Sequence, residues 1–238
     1  LTNEDLDGMP LYGLEHPDQP VLADGIVRYQ GEPIAIVAAD HPENVRLALE
    51  AIDVEYELIK PLSDSKLAQE TEAIHPDGNL IREIDLIYGK SQGEGEITVE
   101  GTYEVGMQDQ APLGTESGMA IPSEDGGIDL FVSTQWLHAD RDQVAACLNL
   151  PTEKVRLTLA GVGGAFGARE DISLHIHLCL LAIKTGKPIK MSYSRTESFH
   201  GHVHRHPAQM WYRHHAKSDG TLTRIEARLL LDGGAYAS

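Results

Sequence analysis

Over the first sixty residues the chain switches between short alternating runs and one helical run. VLADGIVRY (21–29) and IAIVAAD (34–40) each read as a strand, separated by a turn at Gln30-Gly31-Glu32-Pro33. ENVRLALEAI (43–52) carries apolar residues at helical spacing and DVEYEL (53–58) returns to alternation, so the pattern predicts a compact β-β-α-β unit. His41-Pro42-Glu43 marks the helix start, because a first turn tolerates proline's missing donor and favours an acid. From Lys60 to about Gly95 the period is lost, and PLSDSKLAQETEAIHPDGN reads as a linker. Beyond it EITVEGTYEV, GMAIP, IDLFVST, KVRLTLA and PIKMSYS read as strands. RDQVAACLNL and DISLHIHLCLLAIKTG read as helices, the second stopped by Gly186 and Pro188. QMWYRHHAK and RIEARLLLDGG read as a hairpin closed near Asp219-Gly220.

The chain has 238 residues, 41% hydrophobic and 24% charged, which suits one or two domains with a sizeable core. No run approaches the roughly 20 apolar residues of a membrane span. The start, LTNEDLDGMP, has neither the basic flank nor the apolar core of a signal peptide. It lacks an initiator Met, so the chain is expected to be a piece of a longer protein. A formal net charge of −18 opposes nucleic-acid phosphates and anionic membrane surfaces alike, and neither is expected as a partner. Cys147 and Cys179 form no Cys-x-x-Cys pair and cannot hold an iron–sulfur cluster or structural zinc through cysteine. They read as buried thiols in a reducing compartment, the cytoplasm.

AGVGGAFGARED (160–171) lies between a strand and a helix, and free N–H groups at such a helix start attract anionic oxygens. Gly161, Gly163 and Gly167 resemble the spacing of a dinucleotide loop, with Arg195 placed where a 2′-phosphate partner could lie. Against this, Glu170 and Asp171 put two carboxylates at the helix start, where they would compete for the same donors. The plainer reading is a tight turn that tolerates glycine. His200, His202, His204 and His206 fall at alternate positions and would share one face of a strand. With Arg205 opposite and no carboxylate evident nearby, they read as a surface or interface stripe rather than a metal site.

TQWLHADRDQVAACLNLPTEKVRLTLAGVGGAFGARE resembles the molybdenum-cofactor segment of the xanthine dehydrogenase/aldehyde oxidase family of molybdenum hydroxylases. VRYQGEPIAIVAADHPENVRLALEAIDVEYE is similar to the end of that family's α/β hammerhead domain. VGMQDQAPLGTESGMAIP resembles the entry to its molybdopterin-binding region, and KTGKPIKMSYSRTESFHGHVHRHPAQM and DGGAYAS resemble segments further along that region. The pieces come in order and cover nearly all of the chain from Val21. LGTE, GAFGARED and GHVHRHP look most like the separate molybdenum-binding subunits of bacterial purine-oxidising enzymes of the xanthine dehydrogenase kind.

The resemblance implies an α+β fold: the C-terminal part of an α/β hammerhead domain over residues 1–62, a linker over 63–95, and the first part of a molybdopterin-binding domain over 96–238. It implies molybdenum held by molybdopterin with no direct side-chain bond to the metal, and iron–sulfur clusters and FAD on other segments or subunits. Gln135 matches the family's Gln whose amide can donate to the molybdenum oxo group. Gly163, Gly164, Ala165, Phe166 and Gly167 match the loop that lays backbone against the metal's ligands, so Gln135 and Phe166 are expected side by side at the metal. Glycine is usual at 165 and 168, and the methyl groups of Ala165 and Ala168 oppose positive φ there. Glu170 matches the carboxyl that binds the purine edge. Without the family, Gln135 reads as a turn cap and Glu170 as a helix-start acid favoured by the dipole. Gly114 stands where many members have Glu, and no role is assigned to Glu116 two positions on.

The family's catalytic base is a Glu near the end of the large subunit, so no catalytic residue is expected in this stretch and the base is expected beyond Ser238. The resemblance thus implies part of a cytoplasmic enzyme that hydroxylates an N-heterocycle, a purine such as hypoxanthine or xanthine, with water as oxygen source. Its partners would be the remainder of the large subunit and iron–sulfur and FAD subunits, in an oligomer, and this stretch alone would be inactive. Two other readings stand beside it. One is a non-catalytic truncated module without cofactor. The other is a dinucleotide-binding domain using GVGGAFG, which requires its first strand to run parallel beside PIKMSYS.

Overall fold

The computed structural model describes residues 1–8, 10–90 and 93–237. Ser91 and Gln92 of the expected linker, and Ser238 of DGGAYAS, lie outside the described residues. In chain order the elements are β1 (Leu11–Tyr12), β2 (Gln19–Pro20), α1 (Pro42–Glu50), β3 (Ile97–Val105), β4 (Ser117–Pro122), β5 (Ile128–Val132), α2 (Leu137–Cys147), β6 (Val155–Leu159), α3 (His175–Thr185), β7 (Ile189–Ser192), α4 (Arg195–Gly201), β8 (Ala208–Ala216) and β9 (Leu222–Leu231). They fall into two units in an α+β arrangement: residues 1–56, 109–204 and the end from Ala235, and residues 57–108 with 205–234.

The first unit is built on a four-stranded sheet of order β6-β5-β4-β7, in which β5 and β6 are parallel and β4 runs antiparallel to both β5 and β7. β5 alternates as a half-buried strand should, with Ile128, Leu130 and Val132 fully buried. Against them pack Val144 and Ala145 of α2 and Ile176, Leu178, Cys179, Leu181 and Ala182 of α3. Gly118 on β4 lets α3 come close, since a Cβ there would lie 2.7 Å from Val132 and 2.8 Å from Leu178. Both cysteines are free and buried, and burial pushes the Cys147 thiol up to about 11 and the Cys179 thiol up to about 12. The second unit is an antiparallel sheet of order β3-β8-β9, whose hairpin closes with Ala216 opposite Leu222 after an irregularity at His215/Ala216.

The structure departs from the sequence pattern in three places. The β-β-α-β unit is not formed: only its helix appears, as α1, and Ala35 makes a single bridge with Thr2 where strands were expected. A helix satisfies its own backbone, and α1 is supported by the His41 ring, which accepts from Glu43 N at 3.1 Å, and by Arg46 between Glu43 and Glu50. A strand needs a neighbour to complete its ladder, and among the described residues none runs beside 21–29, 34–40 or 53–58. The helix expected from Asp171 begins only at His175, with Ile172 and Leu174 buried ahead of it. The histidine stripe is not on a strand: His200 lies in α4, which is opened by a Ser194/Glu197 capping box.

Candidate functional site

Because β5 and β6 are parallel, the chain leaves both at the same edge of the sheet, and this places Gln135 beside the glycine loop. Ala160 N donates to Val132 O at 2.8 Å where the two strands end. Gln135 is then fixed at three points. Its N–H donates to Arg169 O at 2.8 Å, its Oε1 accepts from Gly167 N at 3.2 Å and Arg169 N at 3.3 Å, and its Nε2 faces Glu170 Oε1 at 3.4 Å. The amide carbonyl therefore caps the turn beyond Phe166, while the amide N–H group points at the Glu170 carboxylate.

The loop is pinned from below by a buried ion pair. Arg169, 5% exposed, donates to Glu116 Oε1 at 2.8 Å, and Glu116 is 1% exposed. The other Arg169 nitrogen donates to Gly114 O at 2.6 Å. Gly114 N in turn donates to Gly163 O at 3.1 Å, and the two glycines meet so closely that a Cβ on Gly163 would stand 2.6 Å from Gly114 N. Positive φ falls on Gly164 (105°), Phe166 (56°) and Gly167 (92°), so Ala165 and Ala168 are accommodated without entering that region. Phe166 is thus held in a conformation unusual for a side-chain-bearing residue, with its ring 78% exposed.

Beneath the loop, Asp140 of α2 and His175 of α3 are both buried, with His175 Nε2 3.7 Å from Asp140 Oδ2. Burial raises the Asp140 carboxyl to about 6, Thr134 opposing and Asp171 adding to the rise. Burial, then the Arg169 charge, lowers His175 to about 3. Each is pushed toward its neutral form, so the two are not the ion pair their spacing suggests.

The expected site residues Gln135, Gly163, Gly164, Ala165, Phe166, Gly167 and Glu170 all lie on this one loop or against it. Glu170 is not a helix-start acid, since it precedes α3 by several residues and the first turn of α3 carries no acid. The dinucleotide reading is overturned: β7 pairs antiparallel with β4 at the far edge from β6, and Arg195 Nη2 donates to Pro112 O at 2.5 Å and Leu113 O at 3.1 Å. The chain's pattern carries no sign of Arg169 and Glu116 as a pair, because 53 residues separate them. Nor does it reveal that Asp109 meets His202 and His204, 3.3 and 3.1 Å from their Nε2 atoms.

The loop offers a ligand its main chain. A Cβ on Gly161 or Gly167 would meet nothing within 4 Å, and Phe166 stands exposed between them, which fits a large group approached by backbone. Residues 80–238 match the molybdopterin cofactor-binding domain family, and residues 1–60 match the aldehyde oxidase and xanthine dehydrogenase a/b hammerhead domain family. The chain is 34% identical over its whole length to a probable xanthine dehydrogenase subunit of Bacillus subtilis, of which it spans 33%. It is 37% identical over 98% of its length to the nicotinate dehydrogenase large molybdopterin subunit of Eubacterium barkeri, of which it spans 56%. Among solved structures, the aldehyde oxidoreductase of Desulfovibrio gigas superposes with a TM-score of 0.91 at 26% identity, over 98% of this chain and 27% of that one.

Proposed function

The chain belongs to the molybdopterin cofactor-binding family of the aldehyde oxidases and xanthine dehydrogenases, and from that premise we propose that its glycine loop forms part of the cofactor and substrate site of an N-heterocycle hydroxylase. The observation that carries this is the binding of Gln135 into the loop that holds Phe166 exposed. When bound, the molybdenum cofactor supplies the redox centre that takes two electrons as oxygen from water is added to a ring carbon. The backbone from Gly163 to Gly167 would hold the cofactor beside Phe166, with Gln135 reaching it through its amide and neither side chain bonding the metal. Gln135 would orient the centre through its amide, whose carbonyl is already committed to the loop and whose NH2 group, with one hydrogen toward Glu170, keeps the second for an acceptor. Glu170 receives the ring edge of the substrate, accepting from a ring N–H.

The substrate is proposed to be a purine, on the likeness of LGTE, GAFGARED and GHVHRHP to purine-oxidising subunits. Nicotinate is the second reading, favoured by the 37% identity to a nicotinate dehydrogenase subunit. We assign 1–62 to the hammerhead, 63–95 to a linker and 96–238 to the cofactor domain. The complete protein would work in the cytoplasm as an oligomer, with iron–sulfur clusters and FAD on other segments or subunits and the catalytic Glu in the remainder of the large subunit. No helix among the described residues is long and apolar enough to cross a membrane. The test is to purify the complete enzyme, measure molybdenum and pterin, and assay hypoxanthine, xanthine and nicotinate with an electron acceptor. Turnover of a purine in preference to nicotinate is expected. An enzyme without pterin, or one that oxidises neither class, would overturn the proposal.

A further inference from the structure

Asp109, His202 and His204 bring one oxygen and two ring nitrogens within 4.8 Å of one another. Asp109 Oδ2 lies 3.3 Å from His202 Nε2 and 3.1 Å from His204 Nε2. The two rings stack with centroids 5.2 Å apart and planes 13° apart. The His202 side chain is 2% exposed, and Asp109 and His204 are 15% and 17% exposed.

The hydrogen bonding leaves this cluster incomplete. His202 Nδ1 lies 2.5 Å from Ser198 O, and a carbonyl can only accept, so Nδ1 carries the proton and donates it. In the neutral ring Nε2 is then a bare lone pair, and it faces a carboxylate oxygen. Neither His202 Nε2 nor Asp109 Oδ2 finds a hydrogen-bond partner among the described residues. Two buried acceptors facing each other at 3.3 Å repel unless a proton or a metal cation stands between them.

We infer that Asp109, His202 and His204 bind a first-row divalent metal ion of the zinc kind. Ligands about 2.0–2.1 Å from a tetrahedral zinc lie roughly 3.3–3.4 Å apart, which is close to the two spacings from Asp109 Oδ2 to the histidine nitrogens, and the three atoms all lie within 4.8 Å of one another. Two imidazoles and one carboxylate suit such an ion, and three protein ligands leave a fourth position for water. The supports are also in place. Ser198 O fixes the His202 ring, and Asp109 Oδ1 accepts from Ala111 N at 2.5 Å, which aims Oδ2 at the histidines. The partly exposed His204 gives the ion an entry. Bound there, the ion would tie Asp109, which leads into the turn through Gly114, to the segment after α4. His202 Nδ1 is 3.6 Å from Glu116 Oε1, the acid that holds Arg169 under the loop.

The test uses the complete enzyme made without a histidine tag, freed of loosely held metal with a chelator and titrated with zinc chloride alone. Asp109→Asn keeps an acceptor for Ala111 N, and His204→Ala removes the most exposed ligand. One zinc per chain beyond the molybdenum is expected in the parent, with affinity falling at least tenfold in each variant. Cobalt chloride should give the parent the visible absorption of a low-symmetry nitrogen and oxygen site, which decides the matter even where a variant fails to fold. A parent that binds no stoichiometric zinc and shows no cobalt band, or variants that bind as tightly as the parent, would overturn the inference. His202 and Asp109 would then be a plain imidazolium–carboxylate pair.

Discussion

At the level of single residues, the site separates into groups that hold the loop and groups left to meet a ligand. Glu170 is of the second kind, since among the described residues the one hydrogen bond its carboxylate accepts, from Gln135 Nε2 at 3.4 Å, is long. If it meets the substrate, its hydrogen bond strengthens as charge moves around the ring. Glu170→Ala in the complete enzyme should then cost about 2–4 kcal/mol of barrier, or roughly two to three decades in turnover. Molybdenum content should stay near the parent's, because the backbone of Gly163 to Gly167 is untouched. Parental turnover at parental molybdenum occupancy would remove Glu170 from the substrate site. Glu116 is of the first kind. Glu116→Ala leaves the Arg169 charge buried and unpaired, which should cost about 3–5 kcal/mol in thermal or denaturant unfolding. Joint replacement by Glu116→Leu and Arg169→Met removes both charges and should cost less than the single change. Equal losses in the two would mean that burial of the pair is not what matters. Gly163→Ala adds a third check, since its Cβ would meet Gly114 backbone at 2.6 Å. It should lower molybdenum loading, whereas Gly161→Ala, whose Cβ meets nothing within 4 Å, should not lower it through any clash with the protein.

At the level of elements, how much the sequence reveals depends on where each segment finds its partner. β5, α2, α3 and the β8/β9 hairpin carry their own signal, either a period matched to a core or a turn that closes locally, and all are present. The alternating runs at 21–29, 34–40 and 53–58 have the right residues but no adjoining ladder among the described residues, and composition cannot supply one. α4 is legible in the Ser194-Arg195-Thr196-Glu197 signature, yet the alternating histidines beside it suggest a strand. The α2/α3 contact also sets a pH dependence. His175 is lowered from 6.5 to about 3, so its contribution to stability is present above pH 6.5 and lost as pH falls toward 3. Asp140 is raised from 3.8 to about 6, so its contribution is present below pH 3.8 and lost as pH rises through 6. The two oppose each other between pH 3.8 and 6. Asp140→Asn should therefore make the unfolding temperature rise more steeply with pH across that window than in the parent, by a few degrees. Parallel curves would show that Asp140 titrates normally.

At the level of the whole molecule, the two units differ in how completely they cover their apolar side chains. The first encloses a continuous core between its sheet and α2 and α3. In the second and in the segment leading into it, Leu58 is 93% exposed, Ile87 88% and Tyr88 97%, and Val99, Ile225 and Leu229 lie open on the strands. Burying a side chain of this size contributes about 1.5–3 kcal/mol, so leaving so many in water forfeits a sum comparable to the stability of a whole domain. The curated relatives are much longer than this chain, which spans 33% of one and 56% of another. In a protein of that length the remainder would cover these residues, and runs such as 53–58 would gain there the ladder they lack here. Amide exchange distinguishes the cases. Residues 53–59 and 80–88 should exchange freely in the isolated 238-residue chain and be protected at least a hundredfold in the complete enzyme, while α3 is protected in both. Equal exchange of these two segments in the chain and in the enzyme would show that they stay in water, with no further part of the protein covering them.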